Sequence, residues 1–230
     1  MKFYFAQLEK ESLIHKDKID HNAFKKAIKN KIMKTLSIVM ILLMITSCNS
    51  DDSVDPASLL PPITMTGENT FGCLIDGKFF RPRDGRSTIN SDNKGLRVVQ
   101  TETDNWEIHV FDRKSEKSGS LILHLENLEN LELGNYIVSE SNGLRGIDGN
   151  NNNYIHANFY KNGQYNNYLS FYNSGNVVIS KKDYSPNNYH IFSGTFQVKL
   201  VNIHNTQDTL NISLGRFDLE LGTVQQTSFN

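Results

Sequence analysis

The sequence predicts an all-β fold: an antiparallel β-sandwich, with a lipocalin-like closed barrel as the alternative. Three observations carry that expectation. From Thr70 onward, short runs rich in Val, Ile, Phe, Tyr and Thr alternate with clusters of Asn, Gly, Asp and Ser, which is the pattern of strands separated by turns. No stretch after Thr70 keeps a 3.6-residue apolar period. Two pairs of runs are spaced as hairpins, and about eight to ten short strands with frequent turns fit one sandwich or one barrel.

The 230 residues are enough for one domain with a buried core, or for two small ones. Three segments follow from composition: 1–47, 48–66 and 67–230. Charge divides along the same lines. Residues 1–34 hold nine Lys and four acids, a sum of +5, which leaves 15 basic and 21 acidic residues, a sum of −6, for the rest. An acidic domain does not suit a phosphate-backbone partner, so no nucleic acid is expected. With only Cys48 and Cys73 there is no disulfide framework.

The apolar run Leu36–Ile45 has ten residues, half of the roughly 20 that a helix needs to cross a bilayer. It has the length of a signal-peptide core, and Lys29, Lys31 and Lys34 supply the basic flank. The run ends in Ile45-Thr46-Ser47-Cys48, which resembles the bacterial lipobox. That resemblance implies a diacylglycerol on the Cys48 sulfur, cleavage before Cys48, and acylation (palmitate among the chains) of the new amino terminus. Several acyl chains, at about 0.8 kcal/mol per buried CH₂, anchor a protein stably. The first 32 residues exceed an ordinary basic region and contain Glu9, Glu11, Asp17 and Asp20. A signal of normal proportions begins at Met33, so translation is expected to start there, the alternative being a charged, partly helical extension.

Residues 48–66 are rich in Ser, Asp and Pro and aperiodic, the composition of a flexible tether. Asp51-Asp52, just after the cysteine, resembles the surface-export signal of Bacteroidetes lipoproteins. It implies the outer membrane, with the cell surface preferred to the periplasmic face. Asp52-Ser53-Val54 and Asp208-Thr209-Leu210 fit the loose O-glycosylation pattern of that phylum, and Ser53 is the preferred acceptor.

Within the domain, "TFGCLIDG" is the first strand. "WEIHVFD" (106–112) and "SLILHLEN" (120–127) alternate around the polar "RKSEKSG" and form a hairpin. "NYIVSE", "YIHANFY", "YNNYLSFYN" and "NVVISKKD" have the same character. "IFSGTFQVKLVNIHN" and "DTLNISLGRFDLEL" form a second hairpin, turning at Asn205–Gln207. Gly215 suits a bulge or tight turn, and Phe217 points to the core. "GNNNNY" (149–154) is a loop.

The stretches "NTFGCLIDGKFFRP" (69–82), "NSGNVVISKKD" (173–183) and "SGTFQVKLVN…DTLNISLGRFDL" (193–219) resemble a family of uncharacterised Bacteroidetes lipoproteins, a domain of unknown function. The resemblance covers most of residues 67–221. It implies location and fold and carries no catalytic residues.

Candidate chemistry is sparse. His109, His124, His156, His190 and His204 show no zinc-ligand spacing. Centring the first hairpin near 115–116 sets Glu107 opposite His124, which predicts a cross-strand pair. Cys73 lacks an activating partner and reads as a buried structural thiol. Asp148-Gly149-Asn150-Asn151-Asn152 offers oxygen ligands to Ca²⁺ but lacks the alternating acids of a calcium loop, so no cofactor is expected. The tyrosines mixed with Asn over 154–172, namely Tyr154, Tyr160, Tyr165, Tyr168 and Tyr172, suit a glycan or protein contact surface, since rigid aromatic area and adaptable amides serve recognition. The expected role is a non-catalytic, lipid-anchored envelope protein that binds or scaffolds a partner. The alternatives are a glycan-acting hydrolase, which needs two carboxylates converging in a cleft, and a purely structural component.

Overall fold

The structure is a computed structural model that describes Lys25, residues 29–33, 54–86, 93–101, 104–115, 117, 119–184 and 190–230. The chain divides into two units, Met1–Ser53 and Val54–Asn230. In the first, Lys25 and residues 29–33 are α-helical and exposed. Cys48 and Ser53, the expected lipidation and glycosylation sites, lie outside the described residues, as do the lipobox and the acidic pair. Among the described residues, no helix is long and apolar enough to cross a membrane.

The second unit is all-β. Its strands are β1 (Thr70–Ile75), β2 (Lys78–Phe80), β3 (Leu96–Gln100), β4 (Trp106–Phe111), β5 (Gly119–Leu125), β6 (Gly134–Val138), β7 (Tyr154–Lys161), β8 (Gln164–Leu169), β9 (Gly175–Tyr184), β10 (His190–Asn202) and β11 (Asn205–Glu220). Two short 3₁₀ turns, Pro56–Leu59 and Gly146–Asp148, complete it. The strands form one antiparallel sheet in the order β2-β1-β11-β10-β8-β7-β5-β4-β3, with β6-β9 added to β10.

Strand β10 makes this sheet two-layered. It pairs with β9 from His190 to Val198, then with β8 at Val201 and Asn202. One layer is therefore β6-β9-β10-β11-β1-β2 and the other β8-β7-β5-β4-β3. Side chains from the two meet in one core: Trp106 of β4 packs on Phe192 of β10, and Phe80 of β2 on Phe159 of β7. The fold is sandwich-like, as expected. Among the described residues the sheet is open, with β2 at one end of its order and β3 at the other. Both layers keep the two-residue alternation of half-buried strands: Phe71, Cys73 and Ile75 of β1 share one core with Leu121, Leu123 and Leu125 of β5.

Local turn chemistry sets the register. Asp76-Gly77 (φ 47° and 77°) joins β1 to β2, and Asn162-Gly163 (φ 55° and 87°) joins β7 to β8. Both are two-residue turns with positive φ at each centre, the kind that matches strand twist. The second predicted hairpin forms, but it turns earlier than expected: Asn202 already pairs with Asn205. The side-chain oxygen of Asn202 accepts from the His204 N–H at 2.9 Å, and that local bond draws the turn back to Ile203-His204. Gly215 does stand beside a bulge. Register slips between Phe196 and Val198, and a Cβ on Gly215 would lie 2.6 Å from the Phe196 ring. Phe217 is buried in the core, as predicted.

The segment expected to be a flexible tether departs from that reading after Val54. Residues 54–66 belong to the β-domain unit. Asp55 caps the first 3₁₀ turn through the Ala57 N–H, Leu60 is buried, and Pro61 lies on Gly72, where a Cβ would come within 2.6 Å of its Cδ. Asp218, on the outer face of β11, is 1% exposed. Its carboxylate accepts the Thr64 hydroxyl (2.6 Å), the Ser193 hydroxyl (2.6 Å) and the N–H groups of Thr66, Gly67 and Glu68 (2.9–3.1 Å). A buried carboxylate that collects this many donors is stable as the charged form. Burial alone would raise its pKa, but these bonds outweigh it and hold the group below the usual carboxylate range.

Candidate functional site

The outer face of the second layer carries the chemistry. Alternation along β4, β5 and β7 sends Ile108, Leu123 and Ile155 into the core, and sends Glu107, His109, His124, Tyr154 and His156 to the opposite side. That face would normally be wet. Here the 139–153 connection folds over it, and Glu107, His124 and Tyr154 are 1%, 2% and 0% exposed.

Glu107 is the hub. It pairs in register with His124, as the sequence predicted. Its Oε2 accepts from His109 Nε2 at 2.6 Å, and its Oε1 is 3.2 Å from His124 Nδ1. Oε1 also accepts the Tyr154 hydroxyl (3.0 Å) and the Gly146 N–H (2.9 Å), which ties the covering loop to the sheet. A carboxylate only accepts, so each histidine donates from the named nitrogen. Burial pushes the Glu107 pKa up. The donors from His109, His124 and Gly146 overcome this and hold the carboxyl well below its ordinary range. Burial and the Glu107 charge both raise the Tyr154 phenol, so it stays protonated. His124, Tyr154 and His156 stack in that order, with ring centroids 4.4 and 5.9 Å apart.

His156 closes the stack at the edge of an open groove of about 600 Å³. Burial lowers its pKa to about 4, with Glu107 opposing and His109 and Arg145 adding to the shift. At neutral pH the ring is uncharged, and its Nδ1 is 3.3 Å from Ser141 Oγ. Serine beside neutral imidazole is half of a nucleophilic arrangement. The other half is an orienting carboxylate on the ring, and among the described residues none hydrogen-bonds His156. Ser141 Oγ instead accepts the Gly143 N–H, a bond that shapes the loop.

The groove has an aliphatic floor, Ile122 and Leu169, and a polar wall that includes Ser120, Asn158, Asn167 and Arg145. Asn158 Nδ2 donates to Asn167 Oδ1 at 2.6 Å, so the pair presents Asn158 Oδ1 as an acceptor and Asn167 Nδ2 as a donor along the groove. Asp148 also lines the groove and is its single carboxylate among the described residues. The Asn-rich stretch beside it serves as a brace: Asn150 reaches the Glu140 carbonyl, Asn151 bonds Asn105, and Asn153 accepts the Glu126 N–H. No group of three His, Cys, Asp or Glu among the described residues is placed to hold a metal ion.

The five tyrosines do not form one surface. Tyr154 and Tyr168 are 0% exposed and cannot touch a partner. The covering loop buries the first, and strand parity turns the second into the core, where its hydroxyl donates to Asp208 at 2.8 Å. Tyr172 is exposed in the turn after β8. Tyr160 and Tyr165 are cross-strand partners packed edge to face at 5.3 Å, with Lys117 over Tyr160. They continue the face that carries His156, Asn158 and Asn167, two residues further along β7 and β8. The expectation of one surface built from all five tyrosines is therefore corrected: Tyr154 and Tyr168 are buried, and Tyr160 and Tyr165 share their face with other side chains. His156, Asn158 and Asn167 share the tyrosines' alternation; what was hidden was the loop that covers one end of the face.

Of the remaining candidates, Cys73 is wholly buried, and burial raises its thiol pKa far above the ordinary value. Thr209 sits within β11, paired with Val201, and Asp208 is bound to Tyr168, Asn202 and Lys161. His190 and His204 lie at strand and turn ends, away from the Glu107 cluster. Compared with known proteins, the chain matches no family model, no curated protein and no solved structure.

Proposed function

We propose that this chain is a lipid-anchored envelope protein whose β-domain binds a glycan on the outer face of β7 and β8 without catalysing its breakdown. The observation that carries the reading is the continuity of that face. A groove with amide, hydroxyl and guanidinium walls opens at one end, and at the other Tyr165 stands exposed beside the half-buried Tyr160. Sugars present axial C–H groups to aromatic rings and hydroxyls to amides, so this sequence of surfaces suits an extended oligosaccharide. Asp148, the single groove carboxylate among the described residues, favours binding over glycoside hydrolysis, which uses a pair of carboxylates. Anchoring through Cys48, at the outer membrane and on the cell surface, belongs to the same reading and rests on the lipobox and the acidic pair.

The test is a glycan-array screen of the purified protein followed by titration calorimetry on the best ligand. The joint substitution Asn158→Ala and Asn167→Ala should weaken binding at least tenfold, Tyr165→Ala should weaken it several-fold, and Tyr172→Ala should leave it unchanged. Absence of glycan binding, or equal loss in the Tyr172 variant, would refute the assignment. Anchoring is checked by incorporation of labelled palmitate that Cys48→Ser abolishes. Protease shaving of intact cells checks surface display, with protection of the domain as the contrary result.

A further inference from the structure

The docked 54–66 segment exposes an apolar face. It is fixed to the outer side of the first layer by the Asp218 carboxylate, by Pro61 against Gly72, and by Arg216 Nη1 donating to the Pro61 carbonyl at 3.0 Å. A segment held this firmly would normally bury its apolar side chains. Instead Leu59, Ile63 and Met65 are 50%, 61% and 49% exposed, and Leu214, from the β11 bulge, is 49% exposed. Leu214 has a positive φ of 52°, a strained backbone for a branched residue, and the bulge that imposes it turns this leucine outward.

Three of these four residues line two hollows that each include an arginine. Ile63 and Leu214 line a shallow hollow of about 320 Å³ with Arg216. Leu59 lines a second, of about 300 Å³, with Phe79 and Arg81. The segment's one acid, Asp55, caps the first 3₁₀ turn, and Glu68, just after the segment, accepts the Thr66 hydroxyl at 3.0 Å. Apolar side chains with arginines at the rim match a bilayer boundary, where chains enter the acyl region and guanidinium groups remain with the phosphates.

Chain length names the occupant. Val54 follows Cys48 by six residues (54 − 48 = 6), and six residues span at most about 20 Å when fully extended. A lipid on Cys48 would therefore hold Val54, where the docked segment begins, within that distance of the membrane, whereas the nineteen-residue tether expected from composition would have let the domain float free. The geometry points to a membrane seat: Leu59, Ile63, Met65 and Leu214 rest in the bilayer interface, with Arg81 and Arg216 at the headgroups. This inference rests on the lipid-anchor reading and extends it to orientation. The seat is on the outer face of the first layer, and the groove is on the outer face of the second, so the seated domain holds its groove away from the membrane.

The experiment uses the acylated full-length protein reconstituted in phosphatidylethanolamine–phosphatidylglycerol vesicles. Nitroxide labels are placed by Leu59→Cys, Ile63→Cys and, as a control on the covering loop of the opposite face, Ile147→Cys. Cys73 is wholly buried and takes no label in the folded protein. The expected result is preferential collision with oxygen at 59 and 63, and with a water-soluble nickel complex at 147. Mass spectrometry of the same sample counts acyl chains. Acylated protein whose label at 63 is as nickel-accessible as that at 147 overturns the seat and leaves the anchor standing. Protein without acyl chains overturns both. A label at 63 shielded from both reagents reports a second copy or another protein on this face and overturns the membrane assignment.

Discussion

Glu107 Oε1 and His124 Nδ1 stand 3.2 Å apart across the β4–β5 hairpin, and both side chains are almost wholly buried. An outward-facing pair in a sandwich is normally solvated and contributes little. This pair lies under the 139–153 loop, and its carboxylate also receives the loop's Gly146 N–H at 2.9 Å. The contact joins sheet to loop, and so joins the stability of the fold to the shape of the groove.

Glu107→Gln should destabilise the domain by about 2–3 kcal/mol, because the charge that four donors converge on is lost and a buried donor is left facing another donor. The cost is aggravated by His124 Nε2, which already has no partner among the described residues. Urea unfolding followed by Trp106 fluorescence measures this. A midpoint equal to wild type would contradict it.

Acid should unfold the protein in two stages. His156 titrates near 4 in the fold, against about 6.5 when unfolded. The unfolded state therefore binds the extra proton first, and stability falls as pH drops from about 6.5 to about 4, by roughly 3 kcal/mol in all. Glu107 and Asp218 have depressed folded-state pKa values. Their contribution is complete above the unfolded carboxyl value of about 4 and is lost as pH falls below it. Unfolding midpoints measured between pH 7.5 and 3 test the sequence of events. His156→Gln should flatten the upper stage and leave the lower.

Asp218→Asn should release the 64–68 backbone from the sheet. Three N–H groups and two hydroxyls lose a charged acceptor, at a cost of about 2–4 kcal/mol. Limited proteolysis should then cleave within 54–66 well before the rest of the domain. Gly72→Ala should give the same cleavage with Asp218 intact, since its Cβ would collide with Pro61. Equal protease resistance in both variants would show that the segment is held by something else.

Cys73 should be silent to thiol reagents. It is 0% exposed with a thiol pKa raised by burial, so it should react only after denaturant exposes it. A native-state reaction at Cys73, located by peptide mapping, would contradict this placement.

The strands were legible because each signal is local. The β4–β5 register, with Glu107 opposite His124, followed from alternation and turn position alone. Asp76-Gly77 and Asn162-Gly163 were equally available as two-residue turn signals for the β1–β2 and β7–β8 hairpins. The β10–β11 turn was misplaced because a side-chain bond from Asn202 competed with the polar run after it. Tyr154 was misjudged because alternation gives the face of a residue and says nothing about what covers that face, and Tyr168 because its parity opposes that of Tyr165 and sends it to the core.

The sequence by itself determined the all-β class, the burial of Cys73 and Phe217, the Glu107–His124 pairing and, through its apolar run and cysteine, the expectation of a lipid anchor. These depend on periodicity and spacing within a few residues. Only the tertiary structure decided that 54–66 is clamped on Asp218, that the 139–153 loop roofs the Glu107 cluster, and that Asn158, Asn167, Tyr160 and Tyr165 share an open face. Thr64 and Asp218 are 154 positions apart, and Gly146 and Glu107 are 39 apart. Contacts at such separations are set by how β10 divides the sheet into two layers, and no local pattern in the chain encodes that division.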